Sequence, residues 1–66
     1  MNRQQQEILH ADLNNTITYN SLFRLLYVYR KNKLITVYQC NNKSMDEIIT
    51  ESSYIFKQLK KLDYNF

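Results

Sequence analysis

The side chains that could perform acid–base or nucleophilic chemistry are few in this chain. It contains one histidine, His10, and one cysteine, Cys40, which we expect to be a small buried hydrophobe. One imidazole and one thiol cannot supply the four ligands of an ordinary zinc site. Asp12 lies two residues from His10, and side chains at that spacing diverge on a helix. We therefore expect no catalytic site, no bound metal and no cofactor, and predict that the protein is not an enzyme.

A cluster of carboxylates begins the last third of the chain. Asp46, Glu47 and Glu51 follow Ser44 closely, and the spacing Ser44-x-x-Glu47 is that of a helix capping box. Carboxylates in the first turn of a helix are stabilised by the positive end of the helix dipole. The cluster therefore predicts the start of a helix rather than a pair of catalytic acids.

Cations are concentrated in the middle of the chain, where tyrosines also occur. No acidic residue lies between Leu13 and Met45. Lysine and arginine can contact phosphates, and tyrosine can stack on bases, so nucleic-acid binding is one interpretation. The alternative is a solvated turn whose lysines protect a sheet edge. The basic residues of this window are Arg24, Arg30, Lys31, Lys33 and Lys43.

The strongest β-strand signal lies in residues 22–40. Two runs, LFRLLYVY and LITVYQC, are rich in β-branched and aromatic residues and flank the polar segment RKNK. Asn32 suits a left-handed turn position, so the pattern predicts a β-hairpin with Lys31 and Asn32 at its tip. A helix from residue 22 to about residue 30 is the alternative, because the leucines of this segment also have helical spacing.

The register of the predicted hairpin sorts its side chains onto two faces. If Tyr29 pairs with Leu34, then Val28 pairs with Ile35, and successive residues alternate between the faces. One face is then aliphatic and suits a packed helix. The other face is too apolar to be left bare, so we expect an N-terminal helix or another chain to cover it. That second face would carry Phe23, Leu25, Tyr27, Tyr29, Leu34, Tyr38 and Cys40.

Helices are predicted at both ends of the chain. Residues 2–13 can be capped by Asn2 and carry a short apolar stripe, and residues 44–62 follow the capping box with a long stripe at 3–4 spacing. Residues 16–19 have strand character and offer a third short strand. The expected fold is a single α+β domain spanning residues 1–66, in the order helix, two-stranded hairpin, helix. The stripe of the second helix is Met45, Ile48, Ile49, Ser52, Ile55, Phe56, Leu59 and Leu62.

Length and composition narrow the class of protein. Sixty-six residues with one cysteine give a small core and no internal disulfide, and dimerisation is a usual remedy, so we expect a homodimer. No apolar run approaches the roughly 18 residues of a membrane-spanning helix, which predicts a cytoplasmic protein without a membrane partner. Glycine and proline are absent, which excludes P-loops and GxGxxG turns. Residues with AT-rich codons predominate, which suggests a phage, a plasmid or a low-GC bacterium as the source.

These observations favour a non-enzymatic interaction protein. The predicted function is to bind and inhibit a host protein, and the alternative is a dimeric DNA- or RNA-binding regulator that uses the basic hairpin tip. Cations at the tip would steer an acidic partner, while tyrosines would supply the buried contact. The predicted partner-binding residues are Tyr27, Tyr29, Arg30, Lys31, Lys33 and Tyr38.

Overall fold

Four antiparallel strands and one helix follow each other along the chain in the computed structural model, which describes residues 6–64. Each strand pairs with the next one, so the sheet has the order β1-β2-β3-β4. The elements are β1 Gln6–Ala11, β2 Asn15–Asn20, β3 Leu25–Arg30, β4 Lys33–Gln39 and α1 Met45–Tyr64. The α+β class is confirmed, whereas the predicted order helix, hairpin, helix is wrong.

The N-terminal helix is replaced by a strand over the part of it that the structure describes. Gln6 pairs with Asn20 and Ala11 with Thr16, and a β-bulge between Ile8 and His10 interrupts the ladder. The two adjacent apolar residues at the bulge, Ile8 and Leu9, resembled part of a helical stripe because a bulge breaks the strict alternation of a strand. Residues 2–5 of the predicted helix lie outside the described residues.

The third strand predicted at residues 16–19 is confirmed and is central to the sheet. β2 pairs with β1 on one side and with β3 on the other. Ile17 and Tyr19 on this strand are almost completely buried. The sequence offered this segment only as a short additional strand, whereas β2 pairs on both sides and carries part of the core.

The β3–β4 hairpin is confirmed, and the helix proposed for residues 22–30 is wrong. Lys31 and Asn32 both have positive φ, 54° and 68°, which is the backbone geometry of a tight two-residue hairpin turn. Asn20 Oδ1 accepts a hydrogen bond of 2.9 Å from Phe23 N, as a helix cap would do. The chain nevertheless turns into β3, because Arg24 adopts a left-handed conformation with φ 55°.

The predicted register of the hairpin holds only near its tip. Tyr29 pairs with Leu34 as expected, but a bulge then shifts the ladder, so that Val28 pairs with Thr36 and Leu26 with Tyr38. The extra residue of the bulge is Ile35. A shift of one residue exchanges the faces of all later side chains of the strand. Beyond the bulge, the predicted sorting of β4 side chains is therefore reversed.

Helix α1 packs on one face of the sheet, chiefly against β1 and β2. Its capping box is present: Ser44 N donates to Glu47 Oε1 at 2.9 Å, and Glu47 N donates to Ser44 Oγ at 3.2 Å. Ile48 and Leu59 of the predicted stripe enter the core, with Ile55 and Phe56 at its margin. The buried hydrophobic residues are Ile17, Tyr19, Leu26, Val28, Cys40, Ile48 and Leu59.

Among residues 6–64, no helix is both long enough and apolar enough to cross a bilayer.

Candidate functional site

The sheet face opposite α1, termed the open face, is not covered by any other described element. Cross-strand pairing places its side chains in three rows, since directly paired residues share a face. The central row is Ile8, Thr18, Tyr27 and Val37. The row nearer the hairpin tip is Ala11, Thr16, Tyr29 and Leu34, and the third row is Gln6, Asn20, Leu25 and Gln39.

Two tyrosines dominate the middle of the open face. The rings of Tyr27 and Tyr29 lie with their centroids 6.5 Å apart and their planes at 39°. Both side chains are half-buried among their cross-strand neighbours, whereas Leu34 and Val37 beside them are 50% and 41% exposed. None of the residues in the three rows carries a charge, so covering this face would bury no ion.

The structure separates the residues that the sequence grouped as one binding surface. Tyr27 and Tyr29 lie on the open face, and the exposed residues Lys31 and Lys33 lie at the hairpin tip. Tyr38 lies on the helix side of the sheet because it pairs with Leu26, so its predicted place on the same face as Tyr27 is wrong. The cause is the bulge at Ile35, which no spacing in the sequence signals.

Arg30 is also on the helix side, where it belongs to a structural network. Its guanidinium donates to Asp63 Oδ1 at 2.7 Å and to Asn15 Oδ1 at 2.8 Å. Asn15 Nδ2 completes the triangle by donating to Asp63 Oδ2 at 3.0 Å. The network joins the start of β2, the end of β3 and the last turn of α1, so Arg30 helps to hold these three elements together.

The hydrogen bond from Arg30 lowers the pKa of Asp63 below its ordinary value, against the opposing effect of desolvation. The carboxylate form is therefore favoured in the folded state, and its stabilising effect is complete above the unfolded-state pKa. We predict that this part of the stability is lost as the pH falls through the folded-state pKa of Asp63. In urea melts across the acid range, Asp63→Asn should lose less stability than the wild type; equal losses would contradict the prediction.

Arg24 and Lys43, two further cations of the segment between Leu13 and Met45, bind other groups of the protein. Arg24 donates to the carbonyl oxygens of Lys43 and Cys40, at 2.6 and 3.2 Å. Lys43 forms an ion pair with Glu51 at 2.8 Å, and its pKa is raised chiefly by that hydrogen bond. Of the five cations, only Lys31 and Lys33 have no ion-pair or hydrogen-bond partner for their side chains among the described residues. Three of the five cations between Leu13 and Met45 are thus bound to other groups of the protein.

A histidine–serine pair is the arrangement closest to a catalytic one. His10 Nε2 lies 3.1 Å from Ser52 Oγ, and the imidazole stacks on Phe56 at a centroid distance of 5.1 Å. Ser52 is completely buried and its hydroxyl donates to the carbonyl of Ile49 at 2.8 Å. A substrate cannot reach that oxygen, so the pair anchors β1 to α1 and does not form a nucleophile. Nothing in the sequence indicates this pair, because the two residues are distant in the chain.

Cys40 and two carboxylates of α1 are also engaged within the fold. Cys40 is 2% exposed, which confirms the expectation of a small buried hydrophobe, and burial raises the pKa of its thiol. Glu47 and Glu51 are engaged by the capping box and by Lys43. Among the described residues, no group of three or more His, Cys, Asp or Glu side chains could hold a metal ion.

Comparison with known proteins finds no family model, curated protein or solved structure that matches this chain.

Proposed function

We propose that the protein is a non-enzymatic module that binds another protein through the open face. The observation that carries the proposal is the placement of Tyr27 and Tyr29 in the middle of a bare, uncharged sheet face. The composition of the chain supports a phage or mobile-element origin. In such a setting, the module would inhibit a host protein by occupying part of its surface.

Energetic considerations favour the open face over the hairpin tip as the centre of the contact. Tyrosine is enriched at the centres of protein interfaces, where it buries a large rigid surface at low entropic cost. Desolvation of the uncharged open face would leave no buried ion unpaired. Lys31 and Lys33 lie at the hairpin tip, beyond the row of Tyr29 and Leu34, where exposed charges mainly increase the rate of association with an acidic partner.

A second candidate, binding of single-stranded nucleic acid, rests on the same two tyrosines. A four-stranded antiparallel sheet with aromatic side chains on a middle strand is an arrangement on which bases can stack. Phosphate binding needs cations as well, and three of the five in the basic window bind internal groups. Protein binding is therefore the better supported function.

The test compares two tyrosines on different surfaces of the molecule. Tyr27→Ala is expected to reduce affinity for a captured partner by about 1–3 kcal/mol, mainly through faster dissociation. Tyr54→Ala is the matched control, since Tyr54 is 65% exposed on α1. Both variants are checked by circular dichroism, and the partner is captured from host lysate with and without nuclease before binding is measured with the purified partner.

The outcomes of this test separate the two candidates. Equal loss of binding in Tyr27→Ala and Tyr54→Ala would contradict the assignment of the open face. Capture that disappears after nuclease treatment, together with a steep decrease of affinity in salt, would favour nucleic acid. The double change Lys31→Glu and Lys33→Glu should slow association with a protein partner and leave dissociation nearly unchanged.

A further inference from the structure

Strand β4 forms an edge of the sheet that is exposed and apolar. Six of its seven residues are exposed, and only Thr36 is half-buried. Leu34 and Ile35 are both 50% exposed, and Tyr38 is 45% exposed. Because β4 pairs only with β3 among the described strands, the backbone groups on its outer side have no ladder partner.

The direction of these outer backbone groups can be assigned residue by residue. Cys40 N donates to Arg24 O at 2.9 Å, which identifies these two residues as a hydrogen-bonded pair. In an antiparallel ladder such pairs alternate with non-hydrogen-bonded ones. Tyr38 and Thr36 therefore direct their N–H and C=O groups toward β3. Val37 and Gln39 direct theirs in the plane of the sheet, toward its free edge.

The outer edge of β4 has little of the protection that sheet edges normally carry. From Leu34 to Gln39 there is no charged residue and no proline, and the bulge at Ile35 lies near the tip, so the ladder beyond it is regular. The opposite edge strand, β1, has Glu7 and a bulge between Ile8 and His10. Charges and bulges of this kind prevent a new strand from pairing.

We infer that β4 pairs with β4 of a second copy of this chain, antiparallel about a two-fold axis near Val37. Such pairing is self-complementary and closes as a dimer. Pairing of β4 of one copy with β1 of the next copy would instead continue into an open-ended assembly. The single charged residue of the strand, Lys33, lies at its end, so the two copies of Lys33 stay apart. The two sheets join into one of eight strands, and the open face of each copy stays free.

Hydrogen exchange tests the inference without any substitution. The amides of Val37 and Gln39 should exchange rapidly at high dilution and become protected as the concentration rises through the micromolar range. The amides of Thr36 and Tyr38 are the internal control, because they are protected in both states. A monomer at all these concentrations, or a dimer in which Val37 and Gln39 still exchange rapidly, would overturn it.

A pair of substitutions at Val37 separates pairing from folding. Val37→Pro removes an N–H that points outward and spares the ladder with β3, so the fold should persist. Its dimer dissociation constant should rise by about tenfold or more, because the pairing loses hydrogen bonds at its centre. Val37→Thr keeps the N–H and the β-branched shape and should dimerise nearly as the wild type does. Sedimentation equilibrium of both variants checks this, and a folded Val37→Pro variant that dimerises normally would refute the inference.

Discussion

Replacement of Ile48 by alanine is expected to destabilise the protein strongly. Ile48 is completely buried between α1 and the sheet. Large-to-small changes at such positions cost about 2–5 kcal/mol, because apolar contacts are lost and a cavity remains. In a chain of this length, a loss of that size is a large part of the total stability. Urea-induced unfolding followed by circular dichroism measures it.

The adjacent residue supplies the control for this prediction. Ile49 has the same side chain in the same helix turn but is 46% exposed. Ile49→Ala removes the same atoms without leaving an enclosed cavity, so its effect should stay below about 1 kcal/mol. Similar losses for the two variants would mean that α1 is rotated relative to the sheet.

Replacement of Asn15 by alanine is expected to have a large effect, somewhat smaller than that of Ile48→Ala. Asn15 is completely buried, and its amide both accepts from Arg30 and donates to Asp63. Removal of a buried partner leaves the other groups without their hydrogen bonds and costs about 1–3 kcal/mol. The loss should be measurable in urea melts at neutral pH, where Asp63 is ionised.

Two further variants show whether this cost comes from the network. Asn41→Ala, at an exposed position after β4, should change stability by less than about 0.5 kcal/mol. Arg30→Ala should also destabilise, and the double variant with Asn15→Ala should cost less than the sum of the single changes, since both remove the same network. Strict additivity would show that Asn15 acts through packing alone.

Features that depend on neighbouring residues in the chain could be predicted from the sequence. The capping box fixes the start of α1, because both of its hydrogen bonds join residues three positions apart. The tip of the β3–β4 hairpin was predicted correctly, because Asn32 tolerates a positive φ between two β-rich runs. The carboxylates after Ser44 were likewise recognised as a helix start.

Features that depend on pairing between distant residues could not be predicted in this way. Gln6–Ala11 is a strand because it pairs with β2, although its apolar residues alone are compatible with a short helix. The bulge at Ile35 decides that Tyr38 faces α1 while Tyr27 does not. No local spacing predicts a bulge, and one extra residue moves every later side chain of the strand to the opposite face of the sheet.

The sequence by itself determined the α+β class, the C-terminal helix with its cap, the β3–β4 hairpin and its tip, and the scarcity of groups suited to catalysis. Only the tertiary structure decided which cations are free, since Arg30 is held by Asp63 across a long stretch of chain. The sequence placed Tyr27 and Tyr29 on the hairpin face away from the C-terminal helix, but only the tertiary structure showed that residues 6–11 form a strand and do not cover that face. The physical reason is that charge pairing and burial depend on distances in space, whereas capping and turn geometry depend on distances along the chain.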